Sequence, residues 1–551
     1  MNLTEKTPAE ALALLEEMQK LMELKGENPF KIRAFEKAIR NLTDQTDLLE
    51  RARAGTLTEL AGIGKGISEV LTEFLLKGKT TARDELLAAI PPGLIELTSI
   101  PGLGPKKAAV LIEELGIQSL GELEYACREN RLAKLKGFGE KVQLKIMDGI
   151  QFQKSNQGLQ RLVDVLPNSL KLIEAFLGVS AVRRVTDTGA LRRRCEVLSE
   201  AEFLLELPKD EKAKASFQKK IETALVTFQK TARFPVPVKL HFAEENHFGY
   251  ELAKLTGTKA HWEALGEPAR FSGATEAEFY EKLKLPLIPP EARESGEEVK
   301  LARAGLLAQL LALDGVQGVF HNHTTRSDGS ASLEEMVIAA KRLGYRYIGI
   351  SDHSQSAFYA QGLKSDGLKE QAREIKQVQE KHPEIRIFWG IESDILQDGS
   401  LDYPDAILKK FDFVVASVHS RFQMDRTTMT ERILEAIRNP HTRFLGHLTG
   451  RLLLGRKGYD LEMEKIIRAA KDCDVAIELN ANPARLDIDW RWGAELRKQK
   501  TLIAINPDAH ETAGLEDTSY GIAMARKALM PSALVINTRS AAEVEKWLKR
   551  V

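Results

Sequence analysis

The sequence predicts a multidomain chain of mixed α+β and α/β class, with a helical N-terminal region, a mixed middle region and a C-terminal barrel of alternating strands and helices. Three observations predict it. At 551 residues the chain is long enough for three or more domains. Residues 61–141 contain three Gly-hydrophobic-Gly turns, each between helical patterns. Residues 317–510 place six of the eleven histidines after short apolar strands. Composition is that of a soluble protein, 43% hydrophobic and 29% charged. No apolar stretch could span a bilayer and the polar N-terminus lacks a signal-peptide core, so a cytoplasmic location without membrane contact is expected. Cys127, Cys195 and Cys473 are too scattered for a disulfide framework or a zinc ribbon. Lys plus Arg (79) balance Asp plus Glu (79), so any affinity for DNA must come from local motifs.

The turns are Ala61-Gly-Ile-Gly-Lys-Gly66, Pro101-Gly-Leu-Gly-Pro-Lys-Lys107 and Lys136-Gly-Phe-Gly-Glu-Lys141. The first glycine of each permits a tight turn, and the second lets backbone N–H groups approach a phosphate at the next helix's N-terminus. This is the helix-hairpin-helix device, which grips a DNA backbone without reading sequence. It makes Gly62, Gly64, Lys65, Gly102, Gly104, Lys106, Lys107, Gly137, Gly139 and Lys141 candidate DNA contacts, the second turn being the most basic. Upstream, Asn28-Pro-Phe-Lys-Ile-Arg-Ala-Phe-Glu-Lys-Ala38 followed by Gly62-Ile-Gly64 resembles the small N-terminal domain of family X DNA polymerases, which binds the 5′ end of a DNA gap. The resemblance implies phosphate contacts from Lys31, Arg33 and Lys65. Some members use a lysine six positions after the second glycine as a Schiff-base nucleophile; Val70 stands there and cannot form an imine, so no lyase activity is expected by that route.

In the middle, Gly189-Ala-Leu-Arg-Arg-Arg-Cys-Glu-Val-Leu-Ser-Glu-Ala-Glu-Phe-Leu-Leu205 resembles the family's palm segment, Gly-Ser-Leu-Arg-Arg and then Asp-x-Asp. Leu255-Thr-Gly-Thr-Lys-Ala-His resembles the thumb's Phe-Thr-Gly-Ser stretch, and Pro286-Leu-Ile-Pro-Pro-Glu-Ala-Arg-Glu294 the exit from the thumb. The departures fall on the chemistry. Ala190 replaces the serine of the triphosphate-binding turn, Glu200 and Glu202 replace both aspartates, and Lys239 falls where the third is expected. Glutamate displaces its oxygens in a site built for octahedral Mg. A lysine ammonium roughly 4 Å from a divalent ion repels it by several kcal/mol at an effective dielectric of about 20. The palm therefore reads as a pseudopolymerase unsuited to Mg, unless Lys239 pairs with Glu200 or Glu202 as a structural bridge or a neighbouring carboxylate has taken over.

The last region alternates short apolar strands with amphipathic helices, the pattern of a largely parallel sheet, and a β/α barrel assembles its site from strand C-termini. Expected strands are Gln317–Phe320, Tyr347–Ser351, Arg386–Ile391, Phe413–Val418, Phe444–Leu445, Val475–Leu479 and Leu502–Ile505. Polar residues at their ends are His321, His323, Asp328, His353, Glu392, His419, His447, Asp508 and His510. Alternate strand residues share a face, so His321 with His323, and Asp508 with His510, can each grip one ion. Nine nitrogen and oxygen donors without a thiolate exceed one ion's needs and suit two or three of Zn, Mn or Fe, with Glu392 able to bridge. His382 and His441 lie in helix-loop contexts without expected partners.

His321-Asn-His323-Thr-Thr-Arg-Ser-Asp328-Gly, Ser351-Asp-His353-Ser, Gly390-Ile-Glu392, Ser417-Val-His419-Ser and Asp508-Ala-His510 resemble the polymerase and histidinol phosphatase (PHP) domain. The resemblance implies a distorted β/α barrel with one ion on His321, His323, Glu392 and Asp508, a second on Glu392, His419 and His447, and a third on Asp328, His353 and His510. Phe320 replaces the acid often found before the first histidine, and Pro507 and Leu448 are unusual neighbours. The expected chemistry is phosphoester hydrolysis by a metal-bridging water held by Glu392, Asp508 and His419. Arg326, Arg421, Arg451, Arg456 and Arg485 flank the ligand loops as candidate phosphate contacts.

Together the resemblances imply a bacterial family X polymerase architecture: an N-terminal DNA-binding domain (1–85), fingers-like helices (86–155), a degenerate palm (156–250), a thumb and linker (251–300) and a PHP barrel (301–551). The expected function is a monomeric DNA-repair nuclease acting 3′ to 5′ on gapped, nicked or 3′-recessed DNA, with Mn as the first metal choice. The competing readings are an active gap-filling polymerase using Glu200 and Glu202, a non-catalytic DNA-end scaffold, and a small-molecule phosphatase.

Overall fold

The computed structural model describes residues 6, 8–42, 45, 47–90, 93–98, 100, 103–117, 119–132, 135, 137–231 and 234–549. The chain divides into two compact units, Met1–Gln157 and Gly158–Val551.

The first unit is helical. Along Pro8–Lys25, Ala11, Leu14, Leu15, Met18, Leu21 and Met22 recur at helical spacing and are all buried, the stripe an amphipathic helix needs to dock. Pro29–Leu42 buries Phe35, Ala38 and Leu42 in the same core. Three later helices, Lys65–Lys77, Pro105–Leu115 and Glu140–Asn156, start directly after the second glycine of a Gly-hydrophobic-Gly triplet, with Gly64, Gly104 and Gly139 as N-caps. The residue between the glycines, Ile63, Leu103 or Phe138, is buried, and its N–H donates to the carbonyl three residues back, that of Leu60, Ile100 or Leu135. Gly62 and Gly137 have φ of 81° and 88°, a conformation side chains resist. The same N-cap and the same hydrogen bond recur three times.

The second unit opens with a two-stranded antiparallel pair, β1 (Gln160–Arg161) and β3 (Val197–Leu198), and a three-stranded sheet of β2 (Val185–Thr188), β4 (Ala201–Glu206) and β5 (Val238–Ala243) in the order β2-β4-β5. β2 runs antiparallel to β4, and β4 parallel to β5. Phe203 and Leu205 pack one face of this sheet on Leu172, Phe176, Phe217 and Ile221 of two helices, Leu162–Leu177 and Glu211–Thr231. Leu204 meets Phe248 and Leu252 on the other face.

Seven parallel strands follow: β6 (Gly318–Val319), β7 (Tyr347–Ile350), β8 (Arg386–Asp394), β9 (Phe413–Ser417), β10 (Thr442–Leu445), β11 (Ala476–Asn480) and β12 (Ile503–Asn506), hydrogen-bonded in that order. Beyond the strand ends, a parallel bridge between Asn322 and Ala509 links the first strand's continuation to the last. The sheet thus curls into a nearly closed barrel. β8 runs three residues further than expected, because its ladder with β9 continues from Gly390↔Phe413 through Asp394↔Ser417.

Alternation along the strands layers the interior. At the N-terminal end Phe320, Tyr347, Phe388, Phe413 and Phe444 form an aromatic plug, sealed by the C-terminal helix Ala541–Leu548, where Trp547 meets Phe444 with ring centroids 5.5 Å apart. Two residues along, Gly349 and Gly390 make room for those rings: a Cβ on Gly390 would lie 2.3 Å from the Phe413 ring. Two further, Glu392 and Ser417 face inwards, with Glu478 and Asn506 at the matching level of their own strands, all buried. The barrel therefore grades from apolar to strongly polar along its axis, and the polar end is the C-terminal one.

Four cations of the barrel clasp four acids that precede it. Arg491 and the Trp490 indole N–H both bond Glu196, at 2.8 and 3.2 Å; Arg526 bonds Glu291 at 2.9 Å; Lys527 pairs with Glu294, and Arg497 with Glu297. Lys527 is 2% exposed. Among the described residues no helix is long and apolar enough to cross a membrane.

Candidate metal centre and nucleic-acid contacts

All nine residues expected at strand ends meet at the polar end of the barrel. Glu392 is central: one oxygen lies 3.2, 3.2 and 3.1 Å from Nε2 of His321, His419 and His447, and the other 2.9 Å from His353 Nδ1 and 3.6 Å from His323 Nε2. Asp508 Oδ1 lies 3.2 Å from His323 Nε2 and 3.5 Å from His321 Nε2. Asp328 stands 3.4 Å from His510 and 3.5 Å from His353. Donor atoms close enough to share an ion fall into three groups: His321, His323 and Asp508; His353, Glu392 and His419; and His323, Asp328, His353 and His510. The resemblance implied a similar division, but the geometry puts His353 in place of His447 beside Glu392 and His419, leaves Glu392 out of the group of His321, His323 and Asp508, and adds His323 to the Asp328 group.

The chemistry of these donors fits divalent cations. His321 Nε2, both ring nitrogens of His323, both oxygens of Glu392 and His447 Nδ1 are buried without a hydrogen-bond partner. Orphaned buried groups in such number are costly in a protein that leaves them bare, and imidazole with carboxylate is the donor set of Zn, Mn or Fe. Asp508 has φ of 54°, an uncommon backbone state for a non-glycine residue, held by Asn480 Nδ2 donating to its carboxylate at 3.1 Å.

Electrostatics follow from packing three acids among six imidazoles. Burial drives His323 down to about 3, with the charges of His510 and His353 adding to the effect. Burial and then Arg485 lower His447. For His353 burial opposes charging, yet Glu392 and Asp328 raise it to about 10. Against the same opposition Glu392 and Asp394 raise His419 to about 9. Burial pushes Glu392 up, but the imidazoliums of His419, His321 and His353 hold it well below the usual carboxylate range. Protons on imidazole thus balance these carboxylates.

Sequence reasoning missed the residues that orient the ligands. Glu478, fully buried, accepts from His321 Nδ1 (2.7 Å), the His447 backbone N–H (2.7 Å) and Asn506 Nδ2 (3.2 Å). Asp394 bonds His419 Nδ1 at 2.6 Å and accepts from Ser356 Oγ at 2.9 Å. Asp352 accepts from Thr324, Ser327 and Gln371, fixing the loop between His323 and Asp328. Such partners set the tautomer and direction of ligating histidines. An acid at an inward-facing position of an apolar strand was the available signal for Glu478. Phe320, where an acid is usual, fills the aromatic plug instead.

The five arginines differ in position. Arg485 comes nearest, 3.7 Å from Asp508 Oδ2. Arg421 is exposed, directly after Ser420 on the His419 loop. Arg326 is paired with Glu370 and Glu374, Arg451 bonds Asp489 and the carbonyls of Arg485 and Leu486, and Arg456 donates to the Gly450 carbonyl over the Phe422 ring. His382 and His441 lie outside the cluster, but they do have partners: His382 meets Glu334 at 3.3 Å and His441 meets Asp405 at 3.8 Å.

In the three-stranded sheet Glu202 is in register with Lys239, so Glu200, Glu202, Lys239 and His241 share one face. Lys239 Nζ lies 2.6 Å from Glu200, and His241 Nε2 lies 2.7 Å from Glu202. A Cβ at Gly189, φ 59°, would lie 2.3 Å from Glu202, so the turn before Ala190 sits hard against this face. Arg192, Arg193 and Arg194 are bound to Glu276, Glu294 and Asp187.

In the first unit Lys65, Lys106 and Lys141 are exposed in the first turns of the helices that follow the glycine turns, and Lys107 is half-buried. The leading amides of those helices have no intrahelical acceptor. Gly102 lies outside the described residues. Lys31 is 3.7 Å from Glu27, and Arg33 approaches the ring of exposed Phe30 at 5.9 Å. Val70 is buried within Lys65–Lys77.

Family comparison agrees with this arrangement. A helix-hairpin-helix domain model matches residues 7–80, a SAM-like helix-hairpin-helix tandem model residues 94–151, and a PHP domain model residues 320–482. A probable phosphatase of Thermoanaerobacter sp. (strain X514) is 29% identical over 42% of this chain and 93% of its own. Another, from Acetivibrio thermocellus, is 28% identical over 42% of this chain and 94% of its own. The DNA polymerase/3′-5′ exonuclease PolX of Bacillus subtilis (strain 168) is 34% identical over 98% of this chain and 99% of its own. With that identity running nearly end to end, through both helix-hairpin-helix regions and the PHP domain, the chain belongs to the PolX family.

Proposed function

We propose that this protein is a DNA-processing nuclease whose PHP barrel hydrolyses phosphodiesters from a 3′ end with the help of divalent ions, while the N-terminal glycine turns hold gapped or nicked DNA and the three-stranded sheet no longer polymerises. The observation that carries the reading is the position of Glu392, with both oxygens buried, free of hydrogen bonds and surrounded by five imidazoles. A carboxylate so placed suits a bridge between ions. Two or three divalent ions, with Mn the first choice, would be held by the three donor groups, and they supply Lewis acidity and charge neutralisation at a phosphodiester. Arg485 is the best-placed protein cation for a phosphate oxygen, since a guanidinium can donate to two of them in parallel. Three phosphate-gripping turns in the same chain favour DNA over a small phosphate ester, even though relatives of the barrel alone are named as phosphatases.

Loss of synthesis is supported by the pairing of both glutamates. Lys239 neutralises Glu200 and His241 engages Glu202, so no open pair of carboxylates is offered to Mg. The test is a Mn-supplemented time course on a 5′-labelled gapped duplex, with and without dNTPs, comparing the intact protein with His323→Ala. Shortening that disappears in the variant supports the barrel as the nuclease. Extension with dNTPs would overturn the inert-sheet reading, and shortening that survives His323→Ala would overturn the barrel assignment.

A further inference from the structure

Phe358 is 82% exposed, the most exposed of the large apolar side chains among the described residues. It stands on the loop after β7, between the ligand His353 and the helix Ser365–Lys381. The loop is firmly anchored. Ala357 and Ala360 on either side are fully buried; Ser356 N donates to Asp402 at 2.7 Å; the Ala357 carbonyl accepts from Gly362 N at 3.0 Å; and Leu363 N donates to the His353 carbonyl at 2.8 Å. Gly362 is required for this return, since a Cβ there would lie 1.8 Å from the Ser354 carbonyl.

The anchoring ties Phe358 to the metal centre. Ser356, whose Cα is within about 8 Å of that of Phe358, donates from Oγ to Asp394, and the other oxygen of Asp394 holds His419. A pocket of about 460 Å³ beside the ring is lined by Gln355, Ser356, Phe358, Lys364, Asp366 and Asp402, so one cation and two carboxylates stand on the same side.

We propose that Phe358 is a stacking platform for the base of the terminal nucleotide, which positions the adjoining phosphodiester at the metal centre and selects nucleic acid over base-free phosphate esters. The inference rests on the nuclease reading. An aromatic face accepts any base, which suits an enzyme that trims without regard to sequence, and a fixed loop spares the entropy of ordering it. The ring is a positioning residue, for it is not itself among the donor atoms.

The experiment uses the full-length protein with Mn and two short 5′-labelled single strands that differ only in the last residue, thymidine in one and an abasic tetrahydrofuran unit in the other. The first cleavage is followed for the intact protein, Phe358→Ala and Phe358→Trp. Loss of base stacking is expected to lower kcat/KM of Phe358→Ala on the thymidine end about 5- to 100-fold, leave the abasic end within about 2-fold, and spare Phe358→Trp. An equal loss on both strands, or no loss on either, overturns the proposal. If the intact protein cuts neither strand, the nuclease reading has failed. Stacking is then read separately, as the binding of a trinucleotide and its 3′-abasic counterpart in Ca²⁺: equal affinities overturn the platform, and tighter binding of the base-bearing form that is lost in Phe358→Ala supports it.

Discussion

Lys239 Nζ lies 2.6 Å from Glu200 Oε2 on the sheet face where Glu202 is bonded to His241, so each glutamate of that face already has a nitrogen partner. Both partners of the Lys239–Glu200 pair are substantially exposed, and an exposed pair contributes about 0–1 kcal/mol. Glu200→Ala is accordingly expected to leave Tm and the rate of 3′ shortening nearly unchanged, and primer extension is expected to be undetectable before and after. Extension by the intact protein that disappears in Glu200→Ala would show the glutamates holding a catalytic ion.

Glu478 should matter more than its distance from substrate suggests. Glu478→Gln keeps the shape of the side chain but removes the carboxylate charge and turns one acceptor into a donor facing His321, His447 and Asn506. Ion affinity is expected to fall about 10- to 100-fold, as for other residues that orient metal-ligating histidines. Mn titration followed by calorimetry measures it, and affinity within about 2-fold of the intact protein would contradict the assigned role.

The metal-free protein should lose stability on the alkaline side. His353 and His419 have pKa values raised to about 10 and about 9 in the folded state, against an unfolded value near 6.5. Their pairing with Glu392 therefore stabilises fully below about pH 6.5 and is lost as pH rises through about 9 and about 10. In EDTA, Tm is expected to fall between pH 7 and 10, whereas Mn should flatten the profile by replacing the protons. Calorimetry at pH 8 should detect proton release on Mn binding, visible as a dependence of the heat on buffer ionisation.

Lys106 and Lys107 follow the second glycine turn and should contribute to DNA affinity through phosphate alone. The double change to Ala is expected to weaken binding to gapped duplexes of unrelated sequence equally, and to reduce the slope of log K against log salt by about 0.9 for each phosphate no longer neutralised. Equilibrium binding between low and moderate salt measures both. An unchanged slope would remove these lysines from the interface.

Gly390→Ala probes the barrel core. Its Cβ would meet the Phe413 ring at 2.3 Å inside the aromatic plug, and overpacking of this kind costs about 1–3 kcal/mol. A clear drop in Tm is expected. No drop would mean that the plug can yield.

What could be read from the chain beforehand depended on whether a signal was local. All seven barrel strands were found because each is a short apolar run closed by a polar residue, and histidines mark five of the ends. The glycine turns were legible for the same reason. β1 and β3, two residues each, carry no periodicity to find. His241 was missed because its role exists only once β4 and β5 are aligned in register, a non-local fact. Asp394 and Glu478 are likewise defined by the histidines they hold rather than by neighbours in sequence. The extra length of β8 came from its ladder with β9, which a single-strand pattern does not contain.

The collar of Glu196, Glu291, Glu294 and Glu297 around Arg491, Arg526, Lys527 and Arg497 ties the barrel to what precedes it. A fragment beginning at residue 301 would bare all four cations at once, and for the buried Lys527 the loss of its partner costs about 3–5 kcal/mol. The sheet face with Glu200 and Lys239 makes none of these four pairs, whereas Glu196, just before β3, holds Arg491 of the barrel. The region before the barrel would thus persist as masonry, kept for the wall it supports.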